Sequence, residues 1–369
     1  MTEYTVAIIG TGPDPADPTV DGFAMGYRHA EAYTADERFT VTACADIVPE
    51  NAAAFGEEFD IPDANLFEDY STMLDTTAPD VVSVTVPPAI HEPVVVDCVR
   101  HDGVSAVHCE KPIADTWGAA QRMVQSAWRH DVQLTFNRQR RFARPFTAAK
   151  ELLDDGAIGE LDRIEIGWGD FFDTGAHTID LAGMMNNERP ADWVIAQLDY
   201  RNEDIRFGAH QENQMVAHWE YDNGVSGLLS TGDMTHLVDA AMVLRGTDGT
   251  IRIAPEDGSM LELVTGGSRE SISVDGEGIH ETGDEPESRF GSFFHDRSIA
   301  HLGDALSEGT EPVTGGRRGL NTAEIIFAGY QSVQQRGRVE LPLEEAENAL
   351  EQMVSSGSLS PVAPDTNES

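Results

Sequence analysis

Two short segments gather side chains that can move protons. Glu110-Lys111-Pro112 closes one apolar run, and Asp173-Thr174-Gly175-Ala176-His177-Thr178-Ile179-Asp180 opens another. A lysine ammonium can hold a developing alkoxide, and its acidity is tunable by its surroundings. Pro112 fixes the backbone beside it. A histidine near carboxylates is a candidate general base, because a carboxylate fixes its tautomer and stabilises its charged form. If a helix starts near Gly175, Asp173 precedes its first turn, and His177 and Asp180 fall i, i+3 on one face. The helix N-terminus acts against the charged imidazole. Equally, an Asp/His group of this kind marks a hydrogen-bonded structural cluster or, less often, a metal site. No third and fourth ligand stand at suitable spacing, so no metal is expected.

A third segment has no catalytic groups but suits a phosphate. Gly10-Thr11-Gly12 follows the apolar run 4–10. Glycines there permit a tight turn and close approach of the backbone to a pyrophosphate, with a helix N-terminus behind. The third glycine of such a turn is displaced. Eleven residues, 13–23, intervene before Ala24-Met25-Gly26, and we take Gly26 as that glycine. The insertion carries Pro13, Pro15, Pro18, Asp14, Asp17 and Asp21, which predicts a stiff acidic flap. Asp46 stands 36 residues after Gly10, or 25 with the insertion removed. That is the position of an acid that binds the adenosine ribose hydroxyls. It is also placed to cap a helix starting at Pro49, and one residue serves only one of these tasks. Ile47-Val48-Pro49-Glu50 contains no cation to meet a 2′-phosphate, which favours NAD over NADP. Finally, Asn137-Arg138-Gln139-Arg140-Arg141 concentrates positive charge. Arg141 there can bind a substrate carboxylate or phosphate, or simply pair with carboxylates of the chain.

The elements that must position these groups fall into two patterns. Apolar runs at 4–10, 39–46, 80–87, 106–110 and 133–137 alternate with helical stretches at 25–35, 49–59, 91–101 and 116–130. This alternation predicts a doubly wound parallel α/β sheet over 1–137. Beyond it the rhythm changes. Helices are expected at 146–155, 177–186, 293–307 and 320–335, and strands at 161–168, 193–200, 214–221, 224–231, 240–246 and 250–254. Asp222-Asn223-Gly224 and Asp248-Gly249 are turn signals between them. The expected second domain is therefore α+β over 138–355. The Gly-rich stretch 266–289 reads as a loop or weak hairpin, and 356–369 as a frayed tail.

Composition narrows the function classes. The 369 residues hold 24 Lys and Arg against 65 Asp and Glu, a net charge of −41. Nucleic-acid backbones and anionic membrane surfaces demand the opposite sign. Only Lys111 and Lys150 are lysines. Heavy acid with almost no lysine predicts a surface adapted to concentrated salt, a halophilic cytoplasm. Cys44, Cys98 and Cys109 form no CxxC pair, so buried free thiols are expected. MTEYTVAIIG lacks a basic leader region, and no apolar run approaches the ~18 residues of a membrane span.

These pieces together resemble the Gfo/Idh/MocA oxidoreductase family. The matching segments are IIGTG…MGYRHAEAY, ADIVPENAAAFGEEF, VTVPPAIH, HCEKPIA, AAKELLDDGAIGEL, DTGAHTIDL, YDNGVSGLL, RGTDGTIRI and GLNTAEIIFAGYQSVQQRGRVELP, in family order across 4–342. The resemblance implies a nicotinamide-binding Rossmann domain followed by an α+β domain with a large open, mostly antiparallel sheet. It places Lys111, His177 and Asp173 at the reaction centre. It places Gly10, Thr11, Gly12, Gly26, Asp46, Pro87, His91, Glu110 and Lys111 around NAD, and Arg141 and Asp180 towards the substrate. It implies a sugar, sugar acid or cyclitol as substrate, and a homodimer or homotetramer formed through the second sheet. A redox-neutral lyase or glycosidase and a non-catalytic NAD sensor are the rival functions. The chain departs from the family in the 13–23 insertion, in a short 167–172 connection, and in one extra residue within Arg141-Phe142-Ala143-Arg144-Pro145.

Overall fold

The computed structural model describes residues 3–15, 24–256, 258–280 and 293–363. Part of the proposed flap (16–23), part of the Gly-rich stretch (281–289) and the end of the tail (364–369) lie outside the described residues. The chain divides into two compact units.

The first unit holds Met1–Ala114, Ala120–Gln139 and Glu281–Arg317. Its elements run β1 (Tyr4–Ile9), α1 (Met25–Thr34), β2 (Phe39–Ala45), α2 (Pro49–Glu58), β3 (Leu66–Phe67), α3 (Tyr70–Thr77), β4 (Val81–Val84), α4 (His91–Arg100), β5 (Ala106–Cys109), α5 (Trp117–His130) and β6 (Gln133–Phe136). The six strands are parallel in the order β3-β2-β1-β4-β5-β6. Every residue of β4 and β5 is buried, as expected of strands covered on both faces. Cys44, Cys98 and Cys109 are free buried thiols, and burial pushes all three up in pKa, Cys44 to about 12.

The expected cut at 137 is too simple. Helix Phe293–Glu308, assigned from sequence to the 138–355 domain, belongs with the first unit. Its Ile299 and Leu302 sit in one cluster with Val6, Tyr33, Cys44 and Phe55. Arg38 donates to Asp304 at 2.6 Å and to the Ala300 carbonyl at 2.8 Å. The segment beyond also returns to the sheet: the Phe136 N–H donates to the Thr314 carbonyl at 3.0 Å, and Thr135 bridges Gly315. Apolar burial, not chain order, decides where this helix goes.

The second unit holds Asp115–Ala119, Arg140–His280 and Arg318–Ser369. It contains α6 (Arg144–Asp154), β7 (Leu161–Gly167), α7 (Gly175–Met185), β8 (Ala191–Asp199), the small hairpin β9 (Ile205–Arg206) and β10 (Ala209–His210), β11 (Gln214–Tyr221), β12 (Ser226–Ser230), β13 (Ala240–Gly246), β14 (Gly249–Pro255), β15 (Leu261–Thr265) and β16 (Ser268–Ser271). The helix of the first unit, Phe293–Glu308, is α8 in chain order; α9 (Gly316–Gln335), β17 (Val339–Glu340) and α10 (Ala349–Ser355) follow. Nine strands form one sheet in the order β16-β15-β14-β13-β7-β12-β11-β8-β17, antiparallel except between β7 and β12. In β11, Met215, Ala217, Trp219 and Tyr221 are buried while the residues between them are half-exposed. That is the alternation of a sheet with unlike faces. Ser268–Ser271 pairs as β16, so the first part of the Gly-rich stretch is a hairpin arm. Among the described residues no helix is long and apolar enough to cross a membrane.

Candidate active site

In the first unit β1 delivers Gly10-Thr11-Gly12 to the carboxyl edge of the sheet. Gly10 has φ +85°, and a Cβ there would meet Val86 Cγ1 at 2.7 Å. A Cβ on Gly26 would lie 2.9 Å from both Cα and O of Thr11. Only glycine lets α1 start this close to the turn, so Gly26 fills the place of the displaced third glycine. Helix α1 begins after Ala24 with no side-chain cap and no acid in its first turn. Its orphan N–H groups and dipole suit an anion.

Asp46 directly follows β2 and is not the cap of α2. The capping position is Val48, which makes no side-chain cap bond. Asp46 Oδ2 instead accepts from Thr11 Oγ1 at 3.1 Å and from the Gly12 N–H at 3.0 Å. Oδ1 accepts from the Val48 N–H at 2.9 Å. Beside it lies a cavity of about 350 Å³ lined by Gly10, Gly12, Asp46, Val86, Pro87 and Ile90, among others. Exposed Ile47 and Val48 also line it. An apolar slot, a carboxylate and a glycine turn under a helix N-terminus fit the base, ribose and pyrophosphate of a dinucleotide.

Two residues expected to touch the cofactor are turned inward. Glu110 is buried; its Oε1 accepts from Asn137 Nδ2 at 2.6 Å and meets His29 Nε2 at 2.8 Å. Its Oε2 accepts from the Lys111 N–H at 3.0 Å. Burial opposes its charge, yet the hydrogen bonds with His29 and Asn137 and the nearby Lys111 ammonium hold the carboxyl well below the usual range. His91 is fully buried. Its Nδ1 lies 3.0 Å from the carbonyls of both Pro112 and Ile113, and its Nε2 lies 2.8 Å from the Val86 carbonyl. Both side chains bond to the backbone around Lys111. Lys111 itself is half-buried at the end of β5. His29, Glu110 and His295 bring ligand atoms within 4.8 Å of one another. Glu110 is already hydrogen-bonded to His29 and Asn137 there, so the group reads as a buried polar network.

In the second unit Thr174 precedes α7, Asp173 is half-exposed and His177 is 3% exposed. Arg141 and Asp180 are not open to a substrate. Arg141 Nε and Nη2 donate to the two Asp180 oxygens at 2.5 and 2.8 Å, and Nη1 donates to Glu188 at 2.7 Å. Arg141 is 4% exposed and Asp180 1%, so the guanidinium charge is spent on a buried bidentate pair. Sequence reasoning missed Asp170, Glu212 and Tyr330, which surround the segment leading into α7. No spacing rule singles out an acid in Gln211-Glu212-Asn213, and only the fold brings it there.

Fold and cradle together define a dinucleotide-binding oxidoreductase architecture. Sequence models of the Gfo/Idh/MocA family match residues 5–138 (oxidoreductase family, NAD-binding Rossmann fold) and 150–341 (oxidoreductase family, C-terminal alpha/beta domain). The chain belongs to that family, and its first unit is the NAD-binding domain. It is 25% identical over 363 residues to a D-apiose dehydrogenase of Rhizobium rhizogenes, covering 90% of this chain and 96% of that protein. It is 24% identical over 302 residues to the D-xylose 1-dehydrogenase [NADP(+)] of Haloarcula marismortui, covering 74% and 78%. The fold also matches an oxidoreductase from Agrobacterium radiobacter solved with NAD+, L-tartaric acid and magnesium, with TM-score 0.73, 21% identity and coverage of 92% and 98%.

Proposed function

We propose that this protein is a dehydrogenase that oxidises a hydroxyl-bearing carbon of a sugar, sugar acid or cyclitol with NAD. The cradle carries the reading: Gly10 and Gly26 beneath an uncapped α1, with Asp46 beside the apolar slot. Bound NAD supplies the hydride acceptor. His177 takes the proton of the substrate hydroxyl at an imidazole nitrogen, and the Lys111 ammonium stabilises the oxygen as charge develops. Asp173 orients the substrate or the histidine. His91 and Glu110 hold the backbone that carries Lys111. Asp46 with no following cation favours NAD over NADP. The second sheet joins subunits into a homodimer or homotetramer, and the acidic surface works in concentrated salt in the cytoplasm.

The test is absorbance at 340 nm in molar KCl, with NAD and then NADP, against sugars, sugar acids and inositols. NADH formation with one substrate class, and weaker turnover with NADP, is expected. NAD binding by calorimetry with no NADH from any compound would favour a redox-neutral reaction or a sensor. Light scattering in the same buffer reads the oligomer.

A further inference from the structure

Glu212 lies between β10 and β11 and is 3% exposed. Its Oε1 accepts from the Phe171 N–H at 2.7 Å, and its Oε2 accepts from the Tyr330 hydroxyl of α9 at 2.7 Å. The rings of Phe171 and Tyr330 meet edge to face at 5.6 Å. Next to it Asp170 accepts from both the N–H and the Oγ1 of Thr174 at 2.9 Å. Residues 170–174, which include Asp173, are thus fastened from two sides immediately before α7 and His177. It takes in most of the short 167–172 connection, whose residues 168–172 have no helix or strand to fix them.

We propose that Glu212, acting with Tyr330, is a positioning residue for the dehydrogenase reaction: it fixes the 170–174 segment and through it sets Asp173 and His177. The proposal rests on the function proposed above only for the activity it predicts, not for the pinning itself.

Ionisation of Glu212 should then modulate the site. Burial and the charge of Asp170 push it up to about 7, and the Tyr330 and Phe171 bonds oppose this. The charged groups around it are Asp170, with Arg206 of β9 at 3.4 Å from Asp170, and Glu351 of α10, which acts on Tyr330. In the observed arrangement both carboxylate oxygens accept, which is the bonding of the ionised form. Protonation removes the charge that strengthens both bonds; the Tyr330 hydroxyl can turn round to accept, while the Phe171 anchor weakens, so the segment loosens as pH falls below about 7.

Glu212→Leu keeps much of the size and removes both acceptors. It is expected to lower kcat at pH 8 about tenfold, to leave the Kd for NAD unchanged, and to speed hydrogen exchange of the 170–176 amides. Tyr330→Phe removes the bond that lowers Glu212, so the acid limb of the kcat profile moves to higher pH. Wild-type kcat and an unmoved acid limb in both variants would overturn the proposal. If the wild type forms no NADH with any sugar, the function reading fails, and exchange decides the pinning alone. Unchanged exchange at 170–176 in Glu212→Leu overturns it in either case.

Discussion

His91 shows how a residue can matter to a site without meeting its ligand. Its imidazole sits among three carbonyl oxygens, from Val86, Pro112 and Ile113. A neutral imidazole donates from one ring nitrogen, so His91→Ala would remove that donor and open a cavity, at a cost of about 2–4 kcal/mol. Chemical denaturation in molar KCl checks this, and a loss below 1 kcal/mol would mean the loops hold themselves. Lys111→Ala removes the charge and leaves the grip in place, so kcat/KM should fall about 10²–10⁴-fold while the NAD Kd moves only a few-fold. Stopped-flow turnover with calorimetry separates the two quantities. His29, His91 and His108 are all fully buried with pKa values pulled down by burial. The unfolded chain therefore binds protons that the folded chain refuses, starting near pH 6.5. Their contribution to stability is complete above that pH and is lost as pH falls through the lowered values. Glu212 acts with the opposite sign between its ordinary range and about 7. Three histidines outweigh it, so Tm should drop by several degrees from pH 7.5 to pH 5.5 in differential scanning. A flat profile would contradict this account. From sequence the types of His91, Glu110 and Arg141 were plain, but the direction of each side chain was not. Direction depends on which neighbours satisfy the polar atoms, and those neighbours come from distant elements.

Among the elements, α1 carries the most specific prediction. Its Gly26 faces the Thr11 backbone, which cannot swing away as a side chain tip would. Gly26→Ala should raise the NAD Kd at least tenfold while the helix itself tolerates the methyl. Calorimetry against circular dichroism reads both, and wild-type affinity would remove Gly26 from the cradle. Most elements were legible because their apolar periodicity is long enough to measure. Those that escaped are short or marginal: β3 has two residues, and β15 is one five-residue arm of a hairpin. Helix α3 has eight residues and depends on Asp69 accepting from the Thr72 N–H at 2.8 Å. The allegiance of α8 was illegible for another reason. Its apolar face was visible in sequence, but nothing local says which core that face will enter.

At the scale of the whole molecule, charge dominates. Sixty-five acids against 24 bases repel one another in dilute buffer. Many of the cations are already committed, as in Arg38–Asp36, Arg252–Glu262 and Arg141–Asp180. Even Lys150 is paired, to Asp154 one turn along α6. Little positive charge is left to offset the rest, so added salt must do it by screening. Tm should rise by at least 10 °C between 0.1 and 3 M KCl, and a fall would remove the salt-adapted reading. The return of 293–317 to the first unit has a consequence for how the chain is made. On the ribosome the nucleotide-binding half emerges first, yet its core is short of Ile299 and Leu302, and the edge of β6 lacks residues 314 and 315. The strands of the other half are synthesised before those pieces appear. The domain that starts first is therefore finished late, and a nascent chain must guard a half-closed apolar core through most of translation.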